Sequence, residues 1–369
     1  MNAIWQTEEY RDLIGRRTAS VSNYEPVTNA IQLDGSSNST DLAFQDGNQL
    51  PVLSFGGLPF NHVFDTNYNT KTHVRYVTTI GLTTYTIDDS SIKQFDYEEK
   101  SITGNRFTFG DFISRVSTFT AIDTEGLYSS VSFDGASGHL YLGVEKTDGS
   151  VFWIDYGTFY VIDCKKTYST LWLSISDSRS LFNKTITSVT TTKTVFEMCQ
   201  EVCTQAGVTL GTTTAQMPNY SVTIMNASSI ANKSLAQVVS YLAQSIGAFA
   251  IIGKDDKLYF KWYAEVTPIC SLPASNINAN MTVADYEVSV TGATWVDIDG
   301  VSHTIGTTGY VAKVEGNPFQ FANYDLLLYE MSYRILGTTY TPITLKYIGN
   351  PAIEVGDIVI ASDGRGNSY

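Results

Sequence analysis

The sequence is poor in charged residues. Only 16% of its 369 residues are charged, against about 25% in an average globular domain. Hydrophobic residues make up 43% and aromatic residues 12%, so the low charge content does not indicate disorder, and we expect folded domains with a large core. Ser, Thr, Asn, Gly and Tyr are abundant instead, a mixture that is typical of half-polar β-sheet surfaces.

Basic clusters are also lacking. The chain has 23 Lys and Arg against 37 Asp and Glu, with a net charge of -14, and no stretch combines Lys and Arg with interleaved aromatic residues. Neutralising phosphates needs basic patches, so specific nucleic-acid binding is disfavoured. An acidic surface past which DNA slides without sticking is compatible with this composition.

Long apolar runs are absent from the sequence. The first residues, MNAIWQTEEYRDLIGRR, contain no signal-peptide core, and no segment reaches the roughly 18 apolar residues of a membrane span. We therefore expect folding in a cytoplasm. The four cysteines form no CxxC pair and have no histidine at zinc spacing, so they are predicted to be buried thiols: Cys164, Cys199, Cys203 and Cys270.

No stretch of the sequence carries a catalytic signature. The four histidines are scattered, outside any HExxH pattern and away from helically spaced carboxylates: His62, His73, His139 and His303. Gly364-Arg365-Gly366 lacks the third glycine and the helix of a nucleotide site, and Gly135 to Gly138 lacks nucleophile-elbow spacing. We predict no catalytic residue, no cofactor and no metal ligand.

A calcium loop is the nearest approach to a metal motif. Asp297-Ile298-Asp299-Gly300 begins like such a loop, but the third acidic position and the closing glutamate are missing. Asp-Gly supplies the residue with positive φ that hairpin turns need, so a hairpin turn is the favoured interpretation.

Strand patterns dominate from His73 onward. Segments of alternating polarity follow one another between Gly, Asp and Asn turns, which predicts a barrel or sandwich of antiparallel strands: THVRYVTTIG, TTYTIDD, IKQFDYEEK, NRFTFGDF, SRVSTFTAI, HLYLGVEK, SVFWIDYGTFYVIDC and STLWLSISD. Thr147 to Ser150 is a hairpin signal between two of them. Residues 1–72 are turn-rich and without a sustained period, and we interpret them as an irregular N-terminal extension or insertion.

Helical periodicity replaces the strands in the middle of the chain. The spacing predicts a helix over 195–207, with Gly207 ending it, and a second over 234–247, with Ser234 as N-cap. A hairpin, AFAIIGKDDKLYFKWY, follows. Strands return after Pro268, with one further helix near 323–336. The predicted fold is therefore mainly β with an α+β insert: two antiparallel β-barrels over 73–188 and 266–369, joined by a two-helix-plus-hairpin domain over 189–265.

The last residues, GNPAIEVGDIVIASDGRGNSY, predict a strand over Val355 to Ala361 and a turn over Asp363 to Asn367. A lone strand leaves an unpaired edge. We therefore expect its partner to be missing and the second barrel to be incomplete.

Three stretches resemble hub proteins of phage tail baseplates. DGSVFWIDYGTFYVIDCKKTYSTLWLSISDSRSLF, with TTYTIDDSSIKQFDYEEKSITGNRFTFGDFISRVSTFTAI upstream, is similar to the family's first barrel. KTVFEMCQEVCTQAGVTL and KSLAQVVSYLAQSIGAFAIIGKDDKLYFKWY resemble its two-helix-plus-hairpin unit, and GNPFQ with TYTPITLKYIGNPAIEVGDIVIASDGRGNSY resembles its second barrel. The likeness spans roughly 72–369, and its strength lies in the order of the motifs.

The resemblance implies a homotrimer whose two barrels per chain form a ring of six-fold character beneath the tail tube of a long-tailed phage. It implies a virion location at the tail tip and, as partners, tail tube and distal tail proteins, the tape-measure protein and a spike or receptor-binding protein. The chain would then be an adaptor without an active site that lines the channel for DNA. Two alternatives stay open: a cell-wall-degrading peptidoglycan hydrolase, with activity expected in a C-terminal part, and a β-protein that binds host glycans.

Overall fold

The structure is a computed structural model. It describes residues 71–100, 109–146, 148–187, 189, 192–261, 270–272, 281–307, 309–345, 353–355 and 359–362, with the backbone of three short strands before them. These strands are β1 (Asn2–Ile4), β2 (Ser54–Phe55) and β3 (Leu58–Pro59). Residues 1, 5–53, 56–57 and 60–70 of the predicted N-terminal extension, with His62 among them, lie outside the described residues, as does the turn predicted over 363–367.

The first β unit is one seven-stranded antiparallel sheet, in the order β5-β4-β8-β9-β10-β7-β6. Its strands are β4 (Thr72–Ile80), β5 (Thr83–Asp88), β6 (Ile92–Lys100), β7 (Ser114–Ile122), β8 (Ser137–Glu145), β9 (Val151–Lys166) and β10 (Thr170–Asp177). The two edge strands, β5 and β6, are joined by residues 89–91 alone. Because three residues span only about 10 Å, the sheet curls until its edges approach each other.

The interior of this curled sheet is filled by side chains. Alternating residues of the strands point inward and are almost completely buried, among them Tyr76, Phe119, Leu140, Phe159 and Leu173. Sheets of this strand number enclose a space that side chains can fill. The first β unit therefore has a packed core in place of an open pore.

The α+β unit follows the first sheet. Its helices are α1 (Val195–Ala206) and α2 (Leu235–Ile246), and its strands are β11 (Lys193–Thr194), β12 (Thr209–Leu210), β13 (Thr223–Ile224), β14 (Phe249–Ile252) and β15 (Lys257–Lys261). Capping boxes at Thr194 and Ser234 begin the helices, and Gly207 and Gly247 end them. Ser234 and Gly207 have the roles that the sequence predicts. Short 3-10 helices cover Ser178–Asn183, Thr214–Gln216 and Ala227–Ile230.

The second β unit contains helix α3 (Tyr324–Ile335) and strands that form smaller sheets. The strands are β16 (Cys270–Leu272), β17 (Thr282–Val283), β18 (Val288–Val296), β19 (Ser302–Gly306), β20 (Tyr310–Val314), β21 (Thr339–Tyr340), β22 (Pro342–Thr344) and β23 (Val359–Ala361). One hydrophobic cluster continues from α1 and α2 into β18, β20 and α3. The chain is mainly β, which confirms the predicted fold class.

Strands β19 and β20 lie on opposite sides of β18, so the chain that joins them crosses β18. β19 lies antiparallel on one side of β18, whereas β20 lies parallel on the other. The crossing passes close to Thr291, whose carbonyl oxygen accepts from Thr307 N at 2.9 Å. Gly306 has φ of +92°, and a Cβ there would lie 2.3 Å from the Thr291 oxygen. Only glycine allows this approach.

The C-terminal strand has a partner on one edge that the sequence does not predict. In the structure β23 pairs in parallel with β16, so that Val359 lies opposite Cys270. The partner lies about 90 residues earlier in the chain, a separation that a local hairpin signal cannot reveal.

Candidate functional site

A buried joint connects the first β unit to the α+β unit. The turn between β14 and β15 reaches the middle of β9, where the Asp256 carboxylate accepts from Thr158 N at 2.9 Å and from Thr158 Oγ1 at 2.7 Å. Gly157 has φ of +86°, and a Cβ there would lie 2.8 Å from Lys254 O. The two backbones therefore meet in a contact that leaves no room for a side chain.

An ion pair lies at the centre of the joint. Nε of Arg115 donates to Oδ2 of Asp177 at 3.1 Å, and Nη2 of Arg115 donates to Gly253 O at 3.1 Å. The guanidinium also lies 5.6 Å from the centre of the Phe159 ring. Both charged side chains are completely buried. Arg115 thus links β7, β10 and the hairpin turn in one set of contacts.

Burial acts on both members of this pair. It raises the pKa of Asp177 to about 6, although Arg115 and its hydrogen bond act in the opposite direction. For Arg115 the largest single effect is again burial, which acts to lower the pKa. The nearby acidic groups, led by Asp177, together outweigh burial, so the pKa of Arg115 is raised. Burial thus opposes the charged form of Asp177, and Arg115 is the group that offsets this effect.

Residues 353–355, near the C-terminal end of the chain, also contact the joint. Glu354 pairs with Lys254 at 3.2 Å and with Lys261 at 3.4 Å, while Val355 N donates to Glu99 Oε2 at 3.0 Å. Burial acts to raise the pKa of Glu354, but the two lysines outweigh it and the pKa is lowered. Val355 also packs with apolar residues of the hairpin. Residues 353–355 thus lie across both units.

A column of stacked side chains covers the outer face of β4, β8 and β9. Arg75 lies 4.8 Å from the Tyr141 ring centre and 4.3 Å from the Trp153 ring centre. His139 stacks on Tyr141, and His73 meets Trp153 edge-on. Arg75 therefore lies against both the Tyr141 and the Trp153 ring.

The two histidines at the ends of this column, His73 and His139, contact carboxylates. His73 contacts Asp89 at 2.5 Å and Glu145 at 3.1 Å, and His139 contacts Asp155 at 3.0 Å. These pairs connect neighbouring strands and turns of the same sheet, and they lie on its solvent side. The arrangement stabilises the sheet surface, and no nucleophile belongs to it.

The third described histidine belongs to the predicted hairpin turn. Asp297 accepts from the backbone N–H groups of Asp299 and Val301, and its second oxygen lies 3.0 Å from His303 Nε2. The His303 ring stacks flat on Tyr324 at 4.0 Å. The structure therefore places Asp297 in the β18–β19 turn, where its oxygens are used by the turn itself.

The cysteines lie apart from these contacts. Burial raises the pKa of Cys203 to about 12 and that of Cys199 well above the usual value. Burial also raises the pKa of Cys164, which is half-buried. The side chain of Cys270 lies outside the described residues. In the described part of the chain, no three His, Cys, Asp or Glu side chains lie close enough to hold a metal ion.

The sequence analysis did not predict the joint, although the positions of Arg115 and Asp177 in their strands indicated part of it. Strand alternation puts Arg115 on the same face as Phe119 and Ala121, and it puts Asp177 on the face of Ile175. A charged residue at an inward position of each of two neighbouring strands predicts a buried pair. Asp256 and Glu354 carried no such signal, because their partners come from distant parts of the sequence.

Comparison with known proteins gives matches at the level of structure. No protein-family model matches the sequence, and no curated protein matches it. The fold is similar to solved phage tail proteins. The 43 kDa tail protein of prophage MuSo2 from Shewanella oneidensis has 14% identity and a TM-score of 0.46, over 78% of this chain and 88% of that one. The tail protein from Neisseria meningitidis MC58 has 13% identity and a TM-score of 0.47, over 80% and 89%.

A third similar structure is the Francisella PdpA–VgrG complex, at 8% identity and a TM-score of 0.40, over 68% of this chain and 39% of that one. All three are similarities of fold. Among the described residues, no helix combines the length and apolar character of a membrane span.

Proposed function

We propose that this chain is a structural hub protein of a phage tail. It would act at the tail tip as a ring-forming homotrimer between the tail tube and a distal spike or receptor-binding apparatus. The observation that supports this most directly is the order of the units. A curled β sheet, a two-helix-plus-hairpin unit and a second β unit follow one another, in the order that the sequence resemblance implies.

The packed interior of the first β unit constrains where a channel would lie. Tyr76, Leu140, Phe159, Leu171 and Ile175 are completely buried inside the curled sheet, so DNA and a tape-measure protein would pass between copies of the chain. The net charge of -14 would keep DNA from adhering to such a wall. A non-enzymatic role is part of the proposal.

The buried joint supports an adaptor role. A ring repeats the same contact at every copy, and small errors in subunit shape accumulate around it. Arg115, Asp256 and Glu354 each connect the first β unit, the α+β hairpin or the C-terminal segment. We propose that the joint fixes the shape with which each copy enters the ring.

The decisive experiment is the native mass of the purified chain by light scattering, followed by electron microscopy. A homotrimer has three times the chain mass of 40.6 kDa, or 121.8 kDa. We expect that mass and class averages with a central opening between copies. A monomer at all concentrations would contradict a ring built by this chain, and an opening through the middle of one β unit would contradict the position given to the channel.

A further inference from the structure

The two edge strands of the seven-stranded sheet differ in charge. In β6, five of the nine residues are charged: Lys93, Asp96, Glu98, Glu99 and Lys100. In β5, no residue from Thr83 to Ile87 is charged, and the stretch without charge extends back along the β4–β5 hairpin to Tyr76. Charged side chains on an edge strand keep other strands from pairing with it. Charge therefore protects the β6 edge and leaves the β5 edge open.

The two edges also differ in regularity. β6 has a register shift against β7 between Ile92 and Gln94, and Glu99 near its end accepts from Val355 N at 3.0 Å. β5 pairs with β4 in an unbroken register over all six of its residues. In the described part of the chain, β4 is the one strand that pairs with β5. Bulges and covering segments blunt an edge strand, so β6 is the blunted edge and β5 is a regular one.

The hairpin directs alternate backbone groups of β5 to the open edge. Ile80 lies opposite Thr83 across a two-residue turn, and such a turn closes with a hydrogen-bonded pair. Bonded and non-bonded pairs alternate along an antiparallel ladder, so every second residue from Thr83 bonds to β4. The N–H and C=O groups of Thr84 and Thr86 therefore point away from β4, in position to receive a further strand.

Core contacts on the inner face hold β5 in place. Ile87 is completely buried, and the Tyr85 ring packs against two buried aromatic rings. Thr84 and Thr86 lie on the opposite face and are exposed, and Thr84 Oγ1 lies 3.1 Å from Thr79 Oγ1 of β4. The edge is thus fixed by its inner face, while its outer face carries threonines.

We propose that the open edge of β5 pairs with a strand of a second copy of this chain. A chain with a net charge of -14 meets its own copies with least repulsion where charge is lacking. A basic or an acidic partner would form no ion pair along Thr83 to Ile87. Threonine pairs across neighbouring strands are favourable, and Thr84 and Thr86 offer their side chains to the incoming strand. In the proposed hub this contact would join neighbouring copies, and the expected number of copies rests on that proposed function.

The test compares two substitutions of Thr84 in the whole chain. Thr84→Pro removes the N–H that points to the open edge, and its ring blocks an approaching strand, while proline is tolerated at an edge position of this kind. Thr84→Val removes the same hydroxyl but keeps the N–H and favours a strand. Native mass is measured by light scattering across concentrations. We expect Thr84→Val to assemble as the parent does, and Thr84→Pro to need a concentration about tenfold higher or more.

A pair of lysine variants replaces the proline variant if circular dichroism shows that the latter is unfolded. Thr84→Lys places a charge on the edge strand. Thr79→Lys places it on the same face of β4, whose two sides already pair with β5 and β8. Both variants lose the contact between the two hydroxyls. Assembly should weaken in Thr84→Lys alone, and equal assembly of the two would overturn the proposal.

Hydrogen exchange distinguishes strand pairing from other contacts between copies. Backbone N–H groups that bond to a neighbouring strand exchange slowly. The fragment 83–88 should therefore exchange more slowly in the assembled parent than in the dilute one, and this difference should be absent from Thr84→Pro. Assembly that leaves the exchange of this fragment unchanged would overturn the proposal.

The native masses separate this inference from the proposed ring. A parent with three times the chain mass of 40.6 kDa, and a Thr84→Pro variant that keeps this mass at every concentration, would overturn the pairing and leave the ring standing. A parent with twice the chain mass, lost in Thr84→Pro, would support the pairing and contradict a homotrimer. A parent that stays monomeric at every concentration would overturn both, and the edge would then be free for a segment of another protein.

Discussion

Arg115 and Asp177 form an ion pair that has no access to water. Their Nε and Oδ2 atoms lie 3.1 Å apart, and the side chains are 1% and 0% exposed. Removing one partner of such a pair leaves an uncompensated charge in the protein interior. The pair stands where the first sheet, the hairpin turn and the C-terminal segment meet, so its loss should loosen all three.

Arg115→Met should destabilise the fold more at high pH than at low pH. Burial raises the pKa of Asp177 to about 6 in the folded protein, above its value of about 4 in the unfolded chain. A carboxyl whose pKa is raised by folding contributes stability below a pH of about 4, and this contribution is lost as the pH rises through its folded pKa. Without Arg115 this pKa rises further. We expect a loss of about 3–5 kcal/mol near pH 8 and a smaller one near pH 5, measured by urea unfolding.

The control for this experiment is Arg115→Met combined with Asp177→Asn. The amide cannot ionise and still accepts from Arg179 N, the contact that begins the following 3-10 helix. The difference between the two pH values should therefore disappear. A single variant with the same loss at both pH values would show that the charge of Asp177 is not what matters.

Gly157→Ala should weaken the joint by more than backbone strain alone. Gly157 and Gly149 have similar φ values, +86° and +80°, but only at Gly157 would a Cβ meet other atoms, Lys254 O at 2.8 Å and Asp256 Oδ1 at 2.9 Å. Alanine at positive φ costs about 1 kcal/mol or more at either position. The melting temperature should fall further for Gly157→Ala, and equal falls would contradict the close approach.

Thr158 and Asp256 should show coupled energies. Thr158→Val removes the hydroxyl that donates to Asp256 Oδ2 at 2.7 Å, which leaves a half-buried carboxylate oxygen without that donor. We expect a loss of about 1 kcal/mol that shrinks when Asp256→Asn is already present. A double-mutant cycle of unfolding free energies measures this coupling, and strictly additive losses would contradict it.

Cys199 and Cys203 should resist thiol reagents in the folded protein. Burial raises the pKa of both thiols, and the thiolate is the reactive form. In a variant with Cys164→Ser and Cys270→Ser, we expect no reaction with a disulfide reagent near pH 8 until denaturant is added. Fast labelling without denaturant would contradict their burial.

Much of the local structure was predictable from local patterns. The bounds of β4, β5 and β7 agree with the sequence prediction within about two residues, as do those of α1, α2 and α3, because periods of 2.0 and 3.6 residues are set by neighbouring residues. The charged residues of the joint were not predicted. Their burial depends on contacts between residues as distant as Arg115 and Gly253.

The sequence by itself determined that this protein is mainly β, where the three α-helices of its described part begin and end, and that Asp297 to Gly300 forms a turn. Only the tertiary structure decided that β20 lies parallel to β18, that β23 pairs with β16, that Asp256 meets the first sheet and that Glu354 meets the hairpin lysines. The physical reason is that periodicity and turn chemistry act over a few residues, whereas strand partners and buried charges are selected by packing between parts of the chain that lie far apart in sequence.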